Sequence, residues 1–216
     1  QEYECSFEAA IQGAYYGKEM ELAETEKRIS RVPYDRALQV HTAWDLGIAD
    51  STAIWFIQIV GQEWRFIDYL EGSGAGLDWY VKELRAKPYV YGDHVCPHDI
   101  AVRELGTGKS RKEILEGLGV RVEIAPKLPL PDGIQTTRNL IGKSWFDREK
   151  CAQGIEALKQ YRREFDDKNK TFRLRPLHDW TSHAADALRY AATGLKPSNS
   201  PWGGDYTPVP EFSWIA

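Results

Sequence analysis

The sequence predicts an α/β domain, a mixed β-sheet flanked by helices. Three observations carry this. Residues 38–47 (LQVHTAWDLG), 52–60 (TAIWFIQIV) and 63–70 (EWRFIDYL) are strand-like runs rich in β-branched and aromatic residues, joined by short turns. A helical pattern follows at 76–86, where Leu77, Tyr80, Val81 and Leu84 recur at one-face spacing. Strand-like and helix-like stretches then alternate to residue 194, which is the pattern of a sheet with helices on its faces.

Taken in order, residues 1–36 are mixed and charged, with a short helix expected within 7–28 and Pro33 breaking the chain. They are read as an appendage or the end of a preceding domain. Three strands with tight connections give an antiparallel meander. Pro88 closes the helix at 76–86 and a short strand is expected at 89–92. Short helices follow at 99–106 and 110–118. Ser110 caps the second, and Glu113 three residues on completes a capping box. Residues 120–124 (VRVEI) form a strand, 133–144 and 148–165 are helical, and 171–175 is a brief extended piece. A last helix spans 182–193 and ends at Gly194. The domain therefore runs over 37–194. Residues 195–216, with Pro197, Pro201, Pro208 and Pro210, are a tail without regular structure.

In 216 residues, 42% hydrophobic and 28% charged, the composition is that of an ordinary globular chain and excludes wholesale disorder. Apolar runs fall short of the roughly 20 residues of a membrane span, and the N-terminus does not read as a signal peptide. The sequence starts at Gln1 without a methionine, and a piece of a longer chain is the expectation. A net charge of −4 disfavours a stand-alone, high-affinity DNA-coating protein, but not an enzyme that receives DNA from elsewhere. Cys5, Cys96 and Cys151 are too far apart for a zinc or redox motif and suit a reducing compartment.

Three aspartates stand out. Asp45, in AWDLG, is a carboxylate within an apolar stretch near a strand end, costly unless a metal or hydrogen bonds compensate it. Asp50 follows it as a turn former. Asp99 comes after Pro97-His98, beyond the strand at 89–92, with helix capping as the plainer reading. Asp93 and His94 compete for the same role, and His98 either orients a neighbouring group or binds backbone. Asp186 shares a helix face with His183, three residues earlier, on a segment whose alanines allow close approach to a sheet. His178 and Asp179 precede that helix as supporting groups or a cap. Carboxylates on separate elements, with one imidazole at the edge, suit Mg²⁺ or Mn²⁺.

LGTGKS at 105–110 imitates a phosphate loop, but the full pattern needs glycine where Arg103 stands. Lys109, Arg111 and Lys112 form a basic cluster, as do Arg138, Lys143, Arg148 and Lys150. Each is either a solvated helix face or a DNA-backbone contact. The many aromatic residues are core packing.

The same residues carry a family likeness. AWDLGIADSTAIW, YVYGDHVCPHD, RELGTGKSRKE, KCAQGIEALKQYRREFD and RPLHDWTSHAADALRYAATG, in this order over residues 38–194, resemble the C-terminal nuclease domain of the large terminase subunit of tailed bacteriophages and prophages. QEYECSF resembles the end of the ATPase domain that precedes it in those proteins. The resemblance implies an RNase H-like fold and a two-ion Mg²⁺ or Mn²⁺ site. Asp45 takes the first-strand carboxylate role, Asp186 the final-helix role, His183 the accessory histidine and Asp99 the middle acid, with Asp93 its competitor. It implies an endonuclease that cuts concatemeric double-stranded viral DNA with little sequence preference but does not translocate it. The small terminase subunit and the portal protein would be partners of the full-length protein, in the host bacterial cytoplasm and transiently at the procapsid portal, with no membrane involved. Two other readings stay open: a recombination or junction-resolving nuclease of the same fold, and a non-catalytic nucleic-acid binding module.

Overall fold

The computed structural model describes residues 13–47, 51–104 and 108–196. In chain order the elements are α1 (Gly17–Thr25), β1 (Ile29–Ser30), β2 (Val40–Leu46), β3 (Ser51–Val60), β4 (Glu63–Ser73), α2 (Leu77–Ala86) and β5 (Tyr91–Cys96). A 3-10 turn (His98–Ala101), α3 (Arg111–Gly117), β6 (Val122–Ile124), α4 (Leu130–Ile141), β7 (Ser144–Asp147), α5 (Ala152–Gln160), β8 (Arg163–Asp166), β9 (Thr171–Pro176) and α6 (Thr181–Gly194) follow.

The predicted mixed sheet is present, with seven strands in the order β1-β7-β4-β3-β2-β5-β6, and β8 and β9 form a separate antiparallel hairpin. Strands β2, β3 and β4 are the antiparallel meander. On one side β5 runs parallel to β2 and β6 parallel to β5, while on the other β7 runs parallel to β4 and β1 parallel to β7. β3 is buried along nearly its whole length because both of its faces are covered. Alternation sorts its side chains: Trp55 and Ile57 join one core with Met20, Ile134, Leu158 and Leu188, while Ile54 and Phe56 join another with Tyr80, Leu84 and Leu115. Helices α1, α4, α5 and α6 thus cover one face, and α2 and α3 the other.

The structure differs from the sequence reading at several places. Residues 13–30 are no appendage: Tyr15, Tyr16, Met20, Ala23 and Ile29 enter the first core, and β1 extends the sheet edge. The strand expected at 89–92 lies at 91–96, so Asp93 is inside it. Of the helix expected at 99–106, the described residues form only the four-residue 3-10 turn His98–Ala101. The helix expected at 148–165 is shorter, and its end forms β8. β7 was not foreseen. The tail from residue 197 on, Asp50 and Cys5 lie outside the described residues; Cys96 and Cys151 are buried free thiols.

α6 is built for close approach to the sheet. Ala184, Ala185, Ala187, Leu188 and Ala191 are buried, so the helix backbone lies close over β2, β3 and β5. The Trp55 indole N–H donates to the Ala184 carbonyl at 2.9 Å and fixes the helix on the sheet. At the far end a Cβ on Gly194 would come within 2.4 Å of Val95 Cγ1, so only glycine permits this approach. Asp179 Oδ1 accepts from the Thr181 N–H and hydroxyl and caps the first turn.

Candidate functional site

Asp45 stands one residue before the end of β2, on the face that α6 covers. His183, in the first turn of α6, brings Nδ1 to 3.1 Å from Asp45 Oδ2. A carboxylate oxygen accepts only, so the imidazole proton sits on Nδ1. Both groups are largely withdrawn from solvent, at 9% and 18% side-chain exposure for His183 and Asp45. Burial pushes the Asp45 carboxyl above its ordinary range; the His183 hydrogen bond opposes this and the charge of Asp186 adds to it. The ring of His178 meets that of His183 edge-on, 5.9 Å between centroids.

Asp186 lies one turn further along α6, and its Oδ1 receives a bond from Arg189 Nη2 at 2.9 Å. Asp99 sits in the 3-10 turn immediately after β5. Because β5 runs parallel to β2, with Ala43 opposite Val95, Asp45 and Asp99 leave the sheet at the same end. The Tyr190 phenol reports all three acids. Burial raises its pKa; Arg189 opposes this, and Asp186, Asp45 and Asp99 each raise it further.

Asp93 does not share this place. It lies at an irregularity in β5 between Tyr91 and His94, is 59% exposed at its side chain, and pairs with His41 at 3.3 Å. His41 is four residues before Asp45 on β2, roughly 13 Å along the strand. His94 is buried elsewhere, its Nδ1 2.6 Å from the Thr42 hydroxyl. His98 opens the 3-10 turn that holds Asp99.

The basic residues divide. Arg111 is only 14% exposed at its side chain; it donates to the Leu46 carbonyl at 2.9 Å and lies 3.4 Å from Glu104, so it braces the end of β2 beside Asp45. Lys109 precedes α3, and Lys112 lies 3.7 Å from Glu116 one turn on. Arg138 instead donates to the Tyr15 carbonyl and pairs with Glu19, tying α4 to the N-terminal segment. Lys143 precedes β7, whose first residue pairs with Trp64. The chain Asp45–Ala53–Glu71 of cross-strand partners places the acids at the other end of β4, roughly 23 Å away. Arg148 is likewise engaged, with Glu24. Sequence reasoning passed over Arg189 and Tyr190, although their positions three and four residues after Asp186 put them on its face.

Among the described residues, no three or more His, Cys, Asp or Glu side chains converge closely enough to hold a metal ion. Two of the acids are turned instead to protein groups, Asp45 to the His183 imidazole and Asp186 to the Arg189 guanidinium. The donor set still fits a hard divalent cation. A largely buried carboxylate, Asp45, whose ionisation burial and the charge of Asp186 both oppose, calls for compensating positive charge, and a third acid, Asp99, lies at the same sheet end.

No protein-family profile matches the chain, and no curated protein matches it significantly by sequence. Solved structures do match. The nuclease domain of the P22 large terminase superposes with a TM-score of 0.60 at 18% identity, over 78% of this chain and 88% of that one. The large terminase nuclease from the thermophilic phage G20c, with bound cobalt, gives 0.57 at 15% identity, over 83% and 96%. The large terminase of another thermophilic bacteriophage, in complex with ATP-γ-S, gives 0.59 at 17% identity, over 77% and 42%. The chain thus spans about two fifths of the length of that last protein. Its fold is the RNase H-like fold of phage large-terminase nuclease domains.

Proposed function

We propose that this chain is the nuclease domain of a phage large terminase, a divalent-metal-dependent endonuclease that cuts concatemeric double-stranded DNA during genome packaging. One observation supports the reading: Asp45 near the end of β2 and Asp99 in the turn after β5 lie toward the same end of the sheet, and His183 and Asp186 come from α6, with His183 bonded to Asp45 and the charge of Asp186 acting on it, on a fold shared with such domains. The cobalt bound in the G20c nuclease is consistent with a divalent cation here. Asp45, Asp186 and Asp99 would hold Mg²⁺ or Mn²⁺, with two ions as the working number and His183 as an accessory ligand or an orienting group for Asp45. When bound, such ions polarise the phosphodiester, activate a water and stabilise the leaving oxygen.

The chain's own contribution is placement. α6 lies so close to β2 and β5 that His183 reaches Asp45 and the charge of Asp186 acts on it. Arg111 secures the end of β2, and Lys109 and Lys112, its neighbours in sequence, would be the groups to contact a phosphate backbone. Arg138 and Lys143, engaged elsewhere or at the far end, drop out of the DNA path. Contacts of this kind hold phosphates rather than read bases, so cutting is sequence-tolerant and falls as salt rises. Among the described residues no helix is long and apolar enough to cross a membrane. In the longer protein the small terminase subunit and the portal would be partners, with action in the host cytoplasm at the procapsid portal.

Nicking of supercoiled plasmid tests the activity. Cleavage with Mn²⁺ or Mg²⁺ and none in EDTA is expected, with scattered ends on sequencing. Cleavage that survives chelation contradicts the reading. Preference for a four-way junction over linear duplex points instead to a resolving nuclease, and metal-independent binding without cutting to a binding module.

A further inference from the structure

We propose that Arg189 is an internal counter-cation for the acid cluster: a positioning residue that holds Asp186 while no metal is bound, yields it when metal binds, and so sets the metal concentration at which the site fills. The inference rests on the metal-site reading above and concerns how that site is regulated.

The seat of Arg189 is built for it. A Cβ on Gly133 would come 2.8 Å from Arg189 Cδ and 3.2 Å from Cγ, so the glycine in α4 leaves the groove in which the arginine stem lies. The guanidinium centre stands 5.0 Å from the Tyr190 ring centroid, and Nη2 reaches Asp186 Oδ1 at 2.9 Å. The side chain is only 18% exposed. An ordinary ion pair three residues apart on a helix is solvated and contributes little. This one is fixed by a groove, a ring and a carboxylate at once.

The consequence follows from charge. The charge of Asp186 is close enough to oppose the ionisation of Asp45, and Arg189, bonded to Asp186, acts on Asp45 with its positive charge as well. Without metal, Arg189 supplies the compensation that the pair needs. With a divalent cation in place it becomes a like charge beside that cation. The two cations therefore compete for Asp186, and by linkage each weakens the other's hold. The Tyr190 face gives the displaced guanidinium a place to remain.

The test is calorimetric titration of Mn²⁺ into the whole chain, with melting curves in EDTA and in saturating Mn²⁺. Arg189→Gln should bind Mn²⁺ on the order of tenfold more tightly, as expected for removing one partly screened positive charge a few ångströms away. It should melt lower in EDTA and gain more from Mn²⁺ than wild type. Arg189→Lys keeps the charge and should bind within about twofold of wild type. A purely structural arginine would give similar affinities for the Gln and Lys variants. A second readout needs no variant: the Arg189 Nε–Hε NMR resonance should move during Mg²⁺ titration with the midpoint of the heat signal. Unchanged or weakened Mn²⁺ affinity in Arg189→Gln, or a resonance indifferent to Mg²⁺, overturns this inference and leaves the metal site standing. Absence of any Mn²⁺ binding by the wild type overturns both.

Discussion

Acid should loosen the joint between the two strands that carry Asp45 and lead to Asp99. His94 on β5 is buried, and its Nδ1 lies 2.6 Å from the Thr42 hydroxyl of β2. That hydroxyl also accepts from Trp44 Nε1 at 2.7 Å, and its own proton is free to be donated to a bare Nδ1 on neutral His94. Burial pulls the His94 pKa down to about 4; Asp93 opposes this and His41 adds to it. An unfolded histidine titrates near 6.5. Below that pH the unfolded chain takes up a proton that the folded chain refuses, so the stability held at neutral pH is lost between about 6.5 and about 4. A gap of about 2.5 units corresponds to roughly 3 kcal/mol at most. Replacing His94 with Asn keeps an acceptor for Thr42 and removes the titration. In urea unfolding at pH 7.5 and pH 4.5, both in EDTA, wild type should lose about 2 kcal/mol more than His94→Asn. Parallel losses in the two proteins would refute the reasoning.

Three further outcomes are expected. Gly154→Ala would put a Cβ 2.4 Å from Cη2 of Trp55, whose ring is held by the Ala184 carbonyl, and should cost about 1–3 kcal/mol by urea unfolding; a neutral substitution would show that Trp55 can move. Ser110→Ala breaks the capping box with Glu113 at the start of α3 and should cost about 1 kcal/mol in the same assay. Asp45→Asn should melt higher than wild type in EDTA at pH 8, because burial and Asp186 both oppose the charge on Asp45. Since the folded pKa lies above the unfolded one, that advantage should shrink as pH falls through the folded value, and a variant that melts lower at pH 8 would show the His183 bond to dominate.

The meander was legible because TAIWFIQIV and its neighbours are apolar on both faces and broken by obvious turns. α6 was legible because its alanines and Leu188 mark a side suited to close packing, among which His183 and Asp186, three residues apart, stand out as polar. β7 was not, because SWFD is four residues between two helices and its partners, Trp64 to Phe66, are some 80 positions away in sequence. The middle acid could not be settled from residue types either. Asp93 and Asp99 differ only in where β5 ends, and GDHV gives no alternation to fix that end; the pairing of Ala43 with Val95 does. Residues 13–30 looked detached because their charges hide the buried side of α1, where Met20 and Ala23 pack. Basic clusters mislead for a related reason. A sequence shows charge but not its partner, and neither the Leu46 carbonyl held by Arg111 nor the Tyr15 carbonyl held by Arg138 leaves any mark in composition.

The central question is whether Asp45, Asp99 and Asp186 act together on a metal. The most direct measurement is the initial rate of plasmid nicking at saturating Mn²⁺ for Asp45→Asn, Asp99→Asn, Asp186→Asn and Asp93→Asn. The first three should each lose at least about a hundredfold, the size expected when a metal-held transition-state contact is removed, while Asp93→Asn keeps the wild-type rate. Near-wild-type nicking by Asp45→Asn or Asp186→Asn, or an active Asp99→Asn beside a dead Asp93→Asn, would contradict the site described here.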